Sequence, residues 1–187
     1  MPQDLPLVER RGQSGFTLIE MLCVLALVGL LMGLLLPSLG AVRNSSLRQR
    51  SRIQLHGLAM ALEDYVLHYG HPPEFLADPE VPVPPGTLGR AIFFALQGVD
   101  GTADPQNPDN VRFYVFGVDE RDSQGRLVDA FGGSEIYAMG RRRGRLTIPR
   151  EAFPEEIRDL VPEGGVPEPF VLWSLSDRPN RRGTSWQ

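Results

Sequence analysis

The sequence predicts an α+β fold in which a long N-terminal helix packs on a small head with an antiparallel sheet. Three observations lead to this prediction. An uncharged apolar segment runs from Met21 to Val42, and an amphipathic segment follows it. The rest of the 187-residue chain contains short aromatic and β-branched runs separated by glycine and proline, a pattern typical of strands and turns.

The apolar segment is long enough to cross a membrane, because a helix needs roughly 20 apolar residues to span the hydrocarbon. Glu20 lies at its start, beside Met21. An acidic side chain in hydrocarbon costs ~2.5 to 3.5 kcal/mol on insertion scales, so Glu20 requires a partner or a role there. Alternatively, Glu20 snorkels to the membrane edge and needs no specific partner.

The residues around Glu20 resemble the prepilin signature of type IV pilins and type II secretion pseudopilins. A short polar leader precedes Gly15 and Phe16, and Thr-Leu-Ile-Glu then opens the apolar helix. The resemblance implies that a prepilin peptidase cleaves between Gly15 and Phe16 and methylates the new amino terminus at Phe16. It also implies that Glu20 neutralises the terminal amine of a neighbouring subunit in a filament. Such pairing relieves the cost of burying each charge and fixes the axial register.

A secretory signal peptide is the competing interpretation of the N-terminus, with Arg10 and Arg11 before the apolar segment and cleavage before Ala41. The apolar segment is longer than the usual ~7 to 15 residues of a signal, and this interpretation gives Glu20 no role. Arginines flank both ends of the segment, so the positive-inside rule does not decide its orientation. The resemblance places the amino terminus in the cytoplasm.

The amphipathic segment is predicted to continue the first helix. Its apolar residues recur at steps of three and four, which places them on one helix face: Leu55, Leu58, Leu62, Tyr65 and Tyr69. One helix is therefore expected from about Thr17 to Tyr69, with Gly70 as its stop signal. Pro37 is expected to break or kink this helix because it removes a backbone hydrogen bond, and a proline at this distance from the cleavage site is part of the resemblance.

The remaining residues predict a small α+β head. Short helices are expected at 88–97 and 152–160. Strands are expected at 111–118, 134–139, 145–148 and 170–177, with the second and third paired through a turn at 140–144. The predicted organisation is a leader at 1–15, a transmembrane and assembly half of the helix at 16–42, an amphipathic half at 43–70 and a head at 71–187.

The head resembles that of major pseudopilins at its last strand, 170–177, and at Asp129 and Gly132, which match a turn pattern of that family. In those proteins the loop after the last strand commonly binds calcium. Calcium requires several oxygen ligands, and the weak candidates here, Asp177 and Asn180, lie among three arginines. No metal and no cofactor are therefore expected.

Composition argues against several function classes. The formal charge of −4 does not suggest a nucleic-acid binder, and the only cysteine, Cys23, cannot form an intrachain disulfide. The three histidines, His56, His68 and His71, have no zinc-ligand spacing, and no serine lies in a nucleophile elbow, so no enzyme activity is predicted. The arginine run at 141–143 has two interpretations: a binding site for phosphate or lipid headgroups, or a solvated turn.

The sequence thus predicts a structural subunit, a pseudopilin of a type II secretion-like filament. It is expected to be a single-pass protein of the bacterial inner membrane with a periplasmic head. Its expected partners are prepilin peptidase, other pseudopilin or pilin subunits, the inner-membrane assembly platform and membrane lipid, with no nucleic acid. A pilin of a type IV pilus or DNA-uptake system is one alternative. A membrane-tethered periplasmic binding or enzymatic domain is the alternative from a different class.

Overall fold

The computed structural model describes residues 16–98, 105–175 and 182–186, with residues 34–41 described by their backbone only. The elements are helices α1 (Leu18–Tyr69) and α2 (Pro85–Gln97) and strands β1 (Ile136–Gly140), β2 (Phe170–Ser174) and β3 (Gly183–Thr184). Short 3-10 helices lie at Glu74–Leu76, Val118–Glu120, Arg150–Ala152 and Glu155–Leu160. The predicted α+β class is confirmed. The chain divides into unit 1 (Met1–Val42) and unit 2 (Arg43–Gln187).

Unit 1 contains the first part of α1. Every side chain described in it, from Phe16 to Gly33 and at Val42, is exposed. Apolar residues lie on all sides of this part of the helix, and such a pattern is typical of a helix that other molecules or a membrane cover. In the part of the chain that the structure describes, no helix is both long and apolar enough to cross a membrane.

Unit 2 has a first core between α1, α2 and one face of the sheet. The predicted helix face is confirmed, because Leu55, Leu58 and Leu62 are completely buried and Tyr65 nearly so. They pack with buried residues of α2 and the sheet: Leu88, Ile92, Leu96, Ile136, Ala138 and Leu172. The predicted stop at Gly70 is also confirmed, since Gly70 has a φ of +76° and its N–H bonds the Val66 carbonyl at 2.8 Å.

Within the described ranges, three antiparallel strands form a sheet with the order β1-β2-β3. Ile136 lies opposite Ser174, and Trp173 lies opposite Thr184. Because successive side chains of a strand point to opposite faces, Ala138 and Leu172 join the first core while their neighbours face the other side. There a second core forms from Met139, Ile148, Phe153, Ile157, Val161, Val166, Val171 and Trp173.

Two strand predictions are wrong. Residues 111–117 form no strand; instead the N–H groups of Phe113 and Tyr114 both bond the Leu96 carbonyl, at 2.8 and 3.0 Å, and their rings pack against the first core. The aromatic composition therefore reflects burial rather than strand pairing. Residues 145–148 do not pair with β1, whose partner is β2.

The other head predictions are confirmed in part. Helix α2 contains the predicted range 88–97, and strand β2 falls within the predicted range 170–177. The expected helix at 152–160 is two 3-10 helices separated at Pro154, because proline has no N–H to continue a helix. Strand β3 follows the predicted last strand, where the sequence predicts no further strand, because its two residues carry no periodic signal.

Candidate functional site at the start of helix α1

Thr17 and Glu20 form a capping box at the start of α1. The N–H and Oγ1 of Thr17 both donate to Glu20 Oε2 at 2.8 Å, and the Glu20 N–H donates to Thr17 Oγ1 at 3.3 Å. This reciprocal arrangement satisfies N–H groups that have no partner inside the helix. The Thr-Leu-Ile-Glu spacing therefore has a structural role within a single subunit.

The capping box leaves part of the Glu20 carboxylate accessible. Both Thr17 bonds end on Oε2, and no donor among the described residues reaches Oε1. The side chain is exposed, and a negative charge is favourable in the first turn of a helix because of the helix dipole. Glu20 can therefore cap its own helix with one oxygen and accept a hydrogen bond from an ammonium group with the other.

The predicted cleavage site is described on one side only. Phe16 is 71 % exposed, whereas Gly15 and the leader lie outside the described residues. Pro37 falls among the residues described by backbone only, and α1 is helical from Leu18 to Tyr69. Cleavage at Gly15, methylation at Phe16 and a helix break at Pro37 remain predictions.

The glycines of unit 1 are not required by packing in the described chain. A Cβ added at Gly29 or Gly33 would meet nothing within 4 Å. Small residues four positions apart allow a second helix to approach closely. The pair thus provides a contact surface for another helix.

In unit 2, α1 also carries an exposed apolar stripe. Ile53, Met60 and Leu67 are 64 %, 54 % and 82 % exposed. They are seven residues apart, a spacing that places them on one face, as in helix–helix seams. This stripe differs from the buried face and is available to a partner.

The predicted metal candidates gain no support. Asp177 and Asn180 lie outside the described residues. Within the described ranges, no group of three or more His, Cys, Asp or Glu could hold a metal ion. His68 instead contacts Asp109, with 2.9 Å between Nε2 and Oδ2.

The arginine run at 141–143 interacts largely with the chain itself. Arg141 donates to the Leu146 carbonyl at 2.7 Å, and Arg142 and Arg145 lie 3.6 and 3.4 Å from the largely buried carboxylate of Glu80. Glu80 has a φ of +63°, an uncommon conformation for a residue with a side chain. Two cations therefore neutralise an internal acid, a contact that the sequence pattern did not indicate.

Asp129 and Gly132, which matched the pseudopilin turn pattern, form a turn before β1. The N–H groups of Phe131 and Gly133 donate to Asp129 Oδ1 at 2.9 and 2.8 Å. Gly132 has a φ of +79°, which glycine adopts readily. These two residues have a structural role.

Comparison with known proteins identifies the N-terminal segment. The family model of the prokaryotic N-terminal methylation motif matches residues 10–36, which include Gly15, Phe16 and Glu20. No curated protein and no solved structure matches the chain. The chain therefore carries a type IV pilin-like prepilin signature, which implies processing by a prepilin peptidase and assembly with other pilin-like subunits. The match does not distinguish major pseudopilins from other members of this class.

Proposed function

We propose that this chain is a pseudopilin, a structural subunit of a type II secretion-like periplasmic filament that drives protein secretion. The observation that carries the proposal is the methylation motif at residues 10–36. In this proposal, prepilin peptidase hydrolyses the peptide bond between Gly15 and Phe16. The Phe16 nitrogen then receives a methyl group and becomes the mature amino terminus.

The capping box suggests how the mature terminus is used. A singly methylated α-ammonium group keeps its positive charge and two N–H donors. Glu20 Oε2 is occupied by Thr17, so the ammonium of a neighbouring subunit binds Oε1. Both charges are costly in an apolar environment when alone, and their pairing stabilises one axial register between subunits.

The exposed apolar surfaces support assembly through α1. The side chains around the helix in unit 1 are exposed in the isolated chain, and unit 2 has its own exposed apolar stripe of Ile53, Met60 and Leu67. Large exposed apolar surfaces mark interaction sites. Other copies of the chain cover these surfaces in the filament, and membrane lipid covers the apolar segment before assembly.

The proposal places the chain in the inner membrane before assembly, with its amino terminus in the cytoplasm and its head in the periplasm. The uncharged run from Met21 to Val42 supports this location. The inner-membrane assembly platform is the expected partner that extracts the subunit.

Intact-mass and N-terminal analysis of the membrane-extracted protein tests the proposal. The wild-type chain is expected to begin at Phe16 and to carry one added methyl group. Gly15→Ala should block cleavage, whereas the matched control Gly12→Ala, in the same leader, should not. A wild-type chain that begins at Met1 would favour a simple membrane tether, and one that begins at Ala41 would establish a secretory signal peptide.

A pilin of a type IV pilus or DNA-uptake system is the second candidate, because the methylation motif is common to both classes and the match ends at residue 36. Deletion of the gene separates the two. Loss of protein secretion supports the pseudopilin, and loss of surface pili or DNA uptake with secretion intact supports the pilin.

A further inference from the structure

A cavity of about 530 Å³ lies between α1 and β3 within unit 2. Its lining includes three arginines, Arg48 and Arg52 from α1 and Arg182 beside β3, together with two polar residues and Ile53 of α1 and both residues of β3. The cavity is distinct from the capping box and from the arginine run at 141–143. Its lining suits an anion.

The two arginines of α1 are not neutralised. Arg48 and Arg52 are four residues apart and so lie on one helix face, where like charges repel. Neither forms an ion pair with any residue that the structure describes, whereas Arg50, between them in sequence, pairs with Asp119. Arg182 has one carboxylate nearby, Asp159 at 3.5 Å. The cavity therefore has an excess of positive charge.

Arg48 and Arg52 are exposed side chains of α1, so a ligand in the cavity can reach both guanidinium groups. The side chain of Thr184, by contrast, lies on the same sheet face as Trp173, in the second core.

The close approach of β3 to α1 shapes the cavity. A Cβ at Gly183 would lie 2.8 Å from Ser51 Oγ and 3.1 Å from Ser174 Oγ, so only glycine fits there without a shift. The Gly183 N–H bonds Ser174 Oγ at 3.1 Å. These contacts fix β3 close to α1 at one edge of the cavity.

We propose that this cavity binds a phosphate-type anion, with Arg48, Arg52 and Arg182 as the cationic groups. A guanidinium group can bind a phosphate group through two parallel N–H···O hydrogen bonds. A carboxylate has two oxygens to offer, whereas a phosphate group has enough acceptors for several guanidinium groups. The chemistry is shared by the headgroup of an anionic phospholipid and by free phosphate.

The position of the arginines in sequence connects the site to lipid. Arg48 and Arg52 follow Val42 within about ten residues, and no acidic residue occurs from Met21 to Leu62. Basic residues next to a membrane span interact with anionic lipid. This step rests on the proposed function, and it would account for arginines on the side where the positive-inside rule does not expect them.

The proposal is tested by calorimetric titration of the full chain in dodecyl maltoside micelles. The probes are inorganic phosphate, dihexanoyl phosphatidylglycerol and, as a lipid without net charge, dihexanoyl phosphatidylcholine. We expect saturable binding of phosphate or phosphatidylglycerol that Arg48→Gln/Arg52→Gln weakens roughly tenfold. The control Arg50→Gln should bind as the wild type does, because it removes one positive charge from the same stretch of helix without altering the cavity lining.

Each outcome decides the proposal. Tighter binding of phosphatidylglycerol than of phosphate and phosphatidylcholine identifies a lipid headgroup, and equal binding of phosphate and phosphatidylglycerol identifies a free phosphate. Absence of saturable binding, or equal weakening by Arg50→Gln, overturns the site. If the double variant does not fold, the single variants Arg48→Gln and Arg52→Gln replace it, and unchanged affinity in both also overturns the site. The titration needs neither cleavage nor filament, so its failure is distinct from a failure of Phe16 processing.

Discussion

The two parts of α1 differ in how their apolar side chains are covered. In unit 1 every described side chain is exposed, and Gly29 and Gly33 have open space where a Cβ would stand. In unit 2 the same helix buries one face completely, with Leu55, Leu58 and Leu62 in the first core. Unit 2 is therefore stabilised by its own packing, whereas unit 1 has the composition of a surface that partners or lipid must cover.

The largest expected effect on stability comes from a substitution in the first core. Leu58→Ala removes a completely buried side chain, so the free energy of unfolding should fall by about 2–5 kcal/mol. Leu25→Ala in unit 1, where the side chain is 69 % exposed, should change it by less than about 0.5 kcal/mol. Denaturant unfolding of the full chain in detergent, followed by Trp173 fluorescence, measures both. Equal losses would show that unit 1 contributes to the stability of the fold in the single chain.

A second prediction compares glycines. Gly165 has a φ of +80°, and a Cβ there would clash with the Ile148 carbonyl oxygen, so Gly165→Ala should cost at least about 1–3 kcal/mol. Gly29→Ala should instead stabilise the isolated helix by about 0.5–1 kcal/mol. Thermal unfolding measures the effect of Gly165→Ala on the stability of unit 2. Circular dichroism measures the effect of Gly29→Ala on the helix content. Destabilisation of the single chain by Gly29→Ala would contradict the open surface assigned to unit 1.

The smallest expected effect concerns alkaline pH. Burial, followed by the nearby charge of Glu120 and a hydrogen bond to it, raises the pKa of the Tyr114 phenol; its hydroxyl donates to Glu120 Oε1 at 3.0 Å. The folded state thus favours the protonated phenol. This contribution is complete below the ordinary tyrosine pKa of about 10 and is lost as pH rises from there toward the folded pKa.

Tyr114→Phe should accordingly weaken the fall of stability above about pH 10. Denaturant midpoints measured from neutral to alkaline pH test this, with Tyr137→Phe as the matched control that leaves Tyr114 in place. An unchanged alkaline slope in Tyr114→Phe would exclude Tyr114 as its source.

Local patterns in the sequence were sufficient to predict α1, α2 and the end of α1 at Gly70. Apolar residues at steps of three and four predicted the buried face of α1, and Gly70 predicted the end of this helix. The Thr17-to-Glu20 spacing is a recognisable capping-box signal, although its structural role was not identified from the sequence. In these cases the decisive contacts join residues close in the chain.

Contacts between distant residues could not be predicted. The pairing of Ile136 with Ser174 depends on how distant segments pack in the core. The prediction that β1 pairs with the nearer run at 145–148 is therefore wrong. Strand β3 has two residues, too few for any periodic signal. The cavity combines Arg48 with Thr184, and only the folded chain brings these residues together.

The most direct test of the account asks whether the carboxylate of Glu20 is needed for assembly. Filaments would be sheared from cells that overproduce the secretion system and quantified by immunoblot, with intact mass measured on the same samples. We predict that Glu20→Ala is processed at Phe16 but forms no filament, whereas Asp64→Ala, which removes an exposed acid from the same helix, assembles normally. Normal filaments from processed Glu20→Ala would contradict the account, because α1 would then act without the pairing of Glu20 with an amino terminus.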